Sequence, residues 1–256
     1  MITRRRFLGM LLVGAGLAAC RSGEPAAVVS TTTTTSTSTT TSTTTTTTAA
    51  PTTTTSTTAT ATTMPEPEAS PVICREAWGA QPISGELIEH TIDQITVHHT
   101  AVVLDDNADA PAHIRGHQEF HQSRGWADLA YHFIIDAEGN IYEGRPVAAA
   151  GDTGTDYDPK GHLLVCCEGD FNQQEVPAAQ YEALIAMLAW GAAEFAVDPG
   201  EIRGHRDVAS TSCPGDNLYA FIADGTIAAD VAAANVGTLH LICGTEAESL
   251  VSAIEA

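Results

Sequence analysis

Between Thr31 and Thr63 the chain is almost wholly threonine, serine and alanine, interrupted by Pro51. Such a run has no apolar face to bury, so nothing offsets the entropy lost on ordering it. It reads as a disordered stalk, 21–71, closed by proline and glutamate residues at 64–71 and a candidate for O-glycosylation. β-Branched threonine makes it stiffer than a Gly/Ser linker. Folding is thereby confined to the remaining ~185 residues, enough for one globular domain with a full-sized core. That domain is expected over 72–235, followed by a tail, 236–256, of no assigned role.

Ahead of the stalk, residues 1–20 read as an export signal. Arg4-Arg5-Arg6 precedes an apolar run from Gly9 to Ala19, shorter than the about 20 apolar residues a bilayer core requires. Paired arginines followed by Phe7-Leu8 resemble a twin-arginine signal, the route for proteins already folded. An ordinary secretory signal that happens to be arginine-rich is the alternative. Leu17-Ala18-Ala19-Cys20 resembles a bacterial lipobox, whose cysteine carries a diacylglycerol. Two acyl chains anchor stably, at about 0.8 kcal/mol per buried methylene. Cleavage by an ordinary signal peptidase at the same small residues is the alternative. The expected location is the cell envelope, either anchored through Cys20 to the outer face of the cytoplasmic membrane or secreted.

The chain holds 11 Lys+Arg against 32 Asp+Glu, a formal net charge of −21. A surface this negative repels phosphate and argues against nucleic acid as a partner. It does not identify a substrate, and adaptation to a salty medium accounts for it as well. Setting Cys20 aside leaves Cys74, Cys166, Cys167, Cys213 and Cys243. That number is odd, so at least one is unpaired or binds metal. Folding in the cytosol before export would keep the thiols reduced long enough to take up metal.

Ile95-Thr96-Val97-His98-His99 is a β-rich run ending in two histidines. Residues 111–124 have helical spacing, with Ile114, Phe120 and His121 at periodic positions. Strands are expected at 131–136 and 141–143, joined into a hairpin by Asp136-Ala137-Glu138-Gly139-Asn140. Leu163 to Cys167 is wholly apolar and reads as a central strand. A helix is expected from Pro177 to about Ala196, with Tyr181, Leu184, Leu188 and Phe195 on its apolar face, and a last helix from 216 through 234. Strands and helices alternate irregularly. The expected class is therefore α/β, a single domain with a central mixed β-sheet flanked by helices.

Two clusters stand out, far apart in sequence. The first is His98-His99-Thr100; the second is Gly204-His205-Arg206-Asp207 with Ser212-Cys213-Pro214-Gly215. Zinc takes neutral imidazole and thiolate, and a catalytic site uses three protein ligands with the fourth position left for water. His98, His205 and Cys213 form such a set, a strand-end histidine meeting a loop that bears the other two. On spacing alone the set is only a candidate, because 10 histidines guarantee chance pairs.

These segments belong to a longer ordered series. Arg75-Glu76-Ala77-Trp78-Gly79-Ala80 comes first, then Val97-His98-His99-Thr100, Tyr131-His132-Phe133, Tyr142-Glu143-Gly144-Arg145 and Glu168-Gly169-Asp170-Phe171, and finally the segments around His205 and Cys213. Over roughly residues 73–231 the series resembles the peptidoglycan recognition proteins and their relatives, the type 2 N-acetylmuramoyl-L-alanine amidases that include phage T7 lysozyme. The resemblance implies a zinc ion on His98, His205 and Cys213, at one edge of a surface groove. It puts Tyr131 in the place of a metal-proximal tyrosine and Thr211 in that of a lysine or threonine. It implies hydrolysis of the amide between the muramic-acid lactyl group and L-alanine of peptidoglycan, by attack of zinc-bound water. The metal, Tyr131 and Thr211 would stabilise the oxyanion.

Glu168 is a further catalytic candidate. Cytosolic relatives place a glutamate on the central strand where this chain has Cys166, and residues two apart share a strand face. Members that only bind peptidoglycan lack the cysteine, so Cys213 favours an enzyme over the alternative, a non-catalytic peptidoglycan-binding lipoprotein. The family's Gly-Ala-His segment is replaced here by 148–153, with Asp152 in the histidine's place.

His113, His117 and His121 lie four apart on one expected helix face, a spacing that can bind metal. The segment is not His-Glu-x-x-His, however, and the resemblance gives His121 a packing place beside Gly125-Trp126. His99 is expected to orient a neighbour by hydrogen bond, and His132 to lie in the core. Cys166 and Cys167 point to opposite sheet faces and are not expected to pair with each other. Cys74 and Cys243 bracket the domain, and the sequence leaves their pairing open. The expected partners are peptidoglycan and, through the anchor, a membrane; the expected state is a monomer.

Overall fold

The computed structural model describes residues 70–256. The expected signal, Cys20 and the stalk up to residue 69 lie outside the described residues. Seven strands form one sheet: β1 (Ser70–Ile73), β2 (Gln94–His99), β3 (Phe133–Ile135), β4 (Ile141–Glu143), β5 (His162–Cys167), β6 (Arg203–Gly204) and β7 (Leu239–Ile242). Their order is β6-β2-β5-β3-β4-β1-β7. Every neighbouring pair runs parallel except the β3–β4 hairpin. The helices are α1 (Ala110–Ser123), α2 (Ala178–Glu194), α3 (His205–Val208), α4 (Asp216–Ala223), α5 (Thr226–Ala233) and α6 (Gly244–Ile254). The expected mixed sheet with flanking helices is what forms.

The apolar run of β5 follows from its place. A strand covered on both faces has no solvent side on which to carry polar residues. One face, with Phe133, Ile135, Leu163, Val165 and Cys167, packs on Leu184, Met187 and Leu188 of α2. The other, with Ile134, Tyr142 and Cys166, packs on Trp78, Ile114 of α1, and Ala247 and Val251 of α6. Cys166 and Cys167 are thus in different cores, as strand alternation requires. The hairpin turn is tied by the Asp136 carboxylate, which accepts the N–H groups of Glu138 and Asn140 at 3.0 and 2.9 Å and the Tyr142 hydroxyl at 2.8 Å.

Three expectations change. The strand expected to begin at Tyr131 begins at Phe133. The single helix expected over 216–234 is two, broken at Asp224-Gly225, where Gly225 takes φ +82° and the Asp224 carboxylate accepts the Thr226 N–H at 2.9 Å. Residues 239–254, left as a tail, complete the fold. β7 pairs in parallel with β1 from Ser70↔Leu239 to Ile73↔Ile242, and α6 buries Ala247 and Val251. Cys243 joins Cys74 in a disulfide across a sequence separation of 169 residues.

A bridge that long removes much chain entropy from the unfolded state, typically about 2–4 kcal/mol. In a domain of this size each kcal/mol shifts Tm by about 2–4 °C. Cys243→Ser is therefore expected to lower Tm by roughly 5–15 °C in thermal unfolding. An unchanged Tm would mean that the β1–β7 ladder alone holds the C-terminal segment.

Candidate metal centre

β2 ends in the two histidines, and its parallel partner β5 pairs His98 with Cys166 and His99 with Cys167. His98 therefore shares the face that carries α1 and α6. On the other side of β2, β6 pairs at Thr96 and Val97 and delivers His205, the first residue of α3, beside it. The two imidazole rings are 4.5 Å apart between centroids. The turn after α3 brings back Cys213, whose Sγ accepts the His99 backbone N–H at 3.3 Å and lies 3.6 Å from His98 Nδ1. Thr211 holds that turn, its Oγ1 accepting the Cys213 N–H at 3.2 Å. Gly215 closes it at φ +89°, and a Cβ there would lie 2.5 Å from the Phe171 backbone carbon. Only glycine fits.

Ligand atoms of His98, His205 and Cys213 all lie within 4.8 Å of one another. Tetrahedral zinc with bonds of about 2.0–2.1 Å to nitrogen and 2.3 Å to sulfur puts N and S roughly 3.6 Å apart. The Cys213–His98 separation of 3.6 Å matches that. Nδ1 is thus the nitrogen that His98 turns toward the sulfur. His205 Nε2 is occupied by Thr155 Oγ1 at 3.0 Å, which leaves Nδ1 for a ligand bond. The donor set fits a zinc-type cation.

The electrostatics favour neutral imidazoles. Burial, then the neighbouring His205, push His98 well below its ordinary value, and burial brings His205 down to about 4. Burial pushes the Cys213 thiol up to about 12, opposed by the His99 N–H and by Arg206. A dication beside the sulfur outweighs such a burial effect, because a coordinating thiol is deprotonated outright.

Tyr131 stands next to the trio, its ring centroid 5.2 Å from His98. The ring is half-buried, and its hydroxyl lies close enough to Cys166 and Cys213 to be influenced by both. Its position depends on Gly144, where a Cβ would sit 2.3 Å from the Tyr131 carbonyl oxygen. That close approach lets Arg145 N–H reach the same carbonyl at 2.8 Å. The Arg145 side chain is buried and donates to the carbonyls of Leu129, Ala150 and Asp128 and to the Asp152 carboxylate. Asp152, expected to replace a family histidine, is thus paired with an arginine.

Glu168 is elsewhere engaged. Its buried carboxylate bonds to His113 Nδ1 and His117 Nε2, both at 3.0 Å, and not to the metal-centre residues. His121 accepts the Ala130 N–H and packs 4.8 Å from Trp126, the packing place expected of it. His132 lies fully in the core between Leu164 N–H and Ala149 O. A cleft of about 340 Å³ beside the centre is lined by Thr100, Val102, His117, Phe120, His121 and Tyr131. The trio does not itself line that cleft, which adjoins the centre through Tyr131; a larger cavity, about 610 Å³, lies on the α2 side near Trp190 and Leu239. Sequence reasoning missed Thr155, and Tyr157, whose ring packs 5.0 Å from His205. Both sit in an irregular loop with no periodicity to mark them.

Residues 89–216 match the family model described as N-acetylmuramoyl-L-alanine amidase, half of the chain. The chain belongs to that family. Its similar members include peptidoglycan-recognition protein LB of Drosophila melanogaster, 33% identical over 156 residues that make up 59% of this chain and 67% of that one. Peptidoglycan recognition protein 1 of Bos taurus is 32% identical across 59% of this chain and 82% of its own. Among similar solved structures, the N-acetylmuramoyl-L-alanine amidase LysC from Clostridium intestinale superposes with a TM-score of 0.51 at 25% identity, covering 63% of this chain and 97% of that one. Peptidoglycan recognition protein-LE in complex with tracheal cytotoxin, a monomeric diaminopimelic acid-type peptidoglycan, gives 0.54 at 30% identity, covering 60% and 92%.

Proposed function

We propose that this family member is a zinc-dependent N-acetylmuramoyl-L-alanine amidase, hydrolysing the lactyl–L-alanine amide of bacterial peptidoglycan. The observation that carries the reading is the convergence of His98, His205 and Cys213 beside Tyr131 and an open cleft. Two neutral imidazoles and one thiolate are the ligand number of a catalytic zinc site. When bound, zinc supplies Lewis acidity at the scissile carbonyl and acidifies water to near neutrality.

The chain's own residues do the rest. Thr155 fixes the His205 ring, and the His99 N–H and Thr211 fix Cys213. The Tyr131 hydroxyl donates to the oxyanion that develops on the carbonyl, and Thr211 adds a second hydroxyl nearby. Glu168 takes no proton in this reading, because its carboxylate is held by α1.

Incubating the purified protein with peptidoglycan tests the reading by mass spectrometry. Free stem peptides should appear, and a chelator should abolish them. Tight binding without release would instead establish the non-catalytic, peptidoglycan-binding alternative, which the recognition-protein relatives bring into view.

The proposal includes export and a lipid anchor on Cys20. The Cys74–Cys243 disulfide supports it, since such bonds persist in oxidising compartments. Cys20→Ala is expected to move an otherwise active protein into the soluble fraction. Retention on membranes through repeated salt washes would defeat the anchor assignment.

A further inference from the structure

Glu168 is 1% exposed, and the chemistry proposed for the metal centre does not use it. A carboxylate desolvated that far needs hydrogen-bond donors. It takes them from successive turns of α1: His113 Nδ1 lies 3.0 Å from Oε1, and His117 Nε2 lies 3.0 Å from Oε2 and 3.3 Å from Oε1. This cluster is not a second metal centre. Among the described residues only His98, His205 and Cys213 bring three ligand atoms within 4.8 Å of one another.

The arrangement instead fixes an imidazole. A neutral His117 that donates Nε2–H to the carboxylate keeps its lone pair on Nδ1, the same relation by which a buried carboxylate sets the tautomer of a catalytic histidine. The His117 side chain makes no other hydrogen bond among the described residues, and it lines the cleft next to Tyr131. One turn further along α1, His121 has the opposite polarity. Its Nδ1 accepts the Ala130 N–H at 3.1 Å, so Nε2 carries the hydrogen. Val102 and Phe120, 42% and 57% exposed, supply an apolar rim. An acceptor and a donor one helical turn apart, between apolar edges, complement the N–H and C=O of a peptide.

We propose that His117 is a substrate-binding residue, offering Nδ1 to a backbone N–H of the stem peptide that lies in this cleft, and that the buried Glu168 is its positioning residue. The inference rests on the proposed amidase function and adds to it the side of the cleft that reads the peptide. His113 shares the carboxylate but does not line the cleft, so it serves as the internal control.

The test uses the full-length zinc-loaded protein and a soluble muramyl pentapeptide. His117→Ala should raise KM roughly 5- to 10-fold, the value of one neutral hydrogen bond, with kcat and zinc content unchanged. Glu168→Gln should do the same, because an amide oxygen cannot take both imidazole N–H groups while its NH₂ faces one of them. The double variant should show no further rise, since both changes remove one interaction. His113→Ala should leave KM within about twofold and at most lower Tm. An unchanged KM in His117→Ala would overturn the proposal, as would a fall in kcat alone, which would mean proton transfer instead. Should the native protein release no peptide, the amidase reading fails separately. The Kd of the same pentapeptide, measured by calorimetry, then replaces KM and decides the His117 assignment on the same fold-changes.

Discussion

Cys213→Ala is expected to lose nearly all of its zinc and at least about 10³-fold in kcat/KM, the scale of several kcal/mol of lost metal-supported charge stabilisation. Two histidines would remain, but the thiolate supplies the only formal negative charge among the three donors. The substitution removes a small buried side chain whose Sγ hydrogen bonds go to His98 and His99, so the fold should persist. Elemental analysis beside a circular dichroism melt separates the two effects. A folded variant with full zinc would show that the metal rests on other residues and would remove the basis of the assignment. A chelator-treated native protein should resemble the variant in activity and regain turnover when zinc is restored, whereas the variant should not.

How much of this was legible in the sequence depends on how local each signal is. The central strands were readable because a strand buried on both faces writes an apolar run, as at 163–167, where β5 forms. Its class followed from the alternation of such runs with helical spacing. The placement of His98 beside His205 was not readable from spacing. It depends on β6, two residues long, pairing with β2 at Thr96 and Val97. Only the resemblance carried that information, since the order of the motifs encodes a pairing that no single segment reveals.

The C-terminal segment shows the converse. β7 is Leu239–Ile242, half of it exposed, and too short for alternation to stand out from a polar tail. Its partner β1 lies far back at 70–73, at the junction with the threonine-rich segment. Glu168 illustrates a subtler gap. Strand alternation correctly relates it to Cys166, but at the end of β5 the chain leaves the ladder, and the carboxylate is taken by two histidines whose spacing alone suggested a metal. Periodicity says which residues share a face. It does not say what the facing element presents.

Tyr131→Phe is expected to lose about 10²–10³ in kcat, the size of one oxyanion donor, in a folded and zinc-loaded protein. The argument is a difference between two states. In the resting protein the Tyr131 hydroxyl has the Cys166 sulfur as a neighbour, and sulfur is a weak acceptor. In the transition state an oxyanion replaces it, and a hydrogen bond to an ionised acceptor is roughly twice as strong as a neutral one. Burial of the hydroxyl holds the phenol well above its ordinary value, so it stays a donor across the working range. An interaction that strengthens only as charge develops lowers the barrier rather than KM. Phenylalanine keeps the ring that packs 5.2 Å from His98 and 5.8 Å from His121, so the cleft should retain its shape. The loss should therefore fall on kcat, with KM changing by less than about threefold. A compensating rise in KM would place the hydroxyl on bound substrate instead. Near-normal turnover would show that Tyr131 only fills the cleft wall, and would leave Thr211 as the remaining hydroxyl beside the metal ligands.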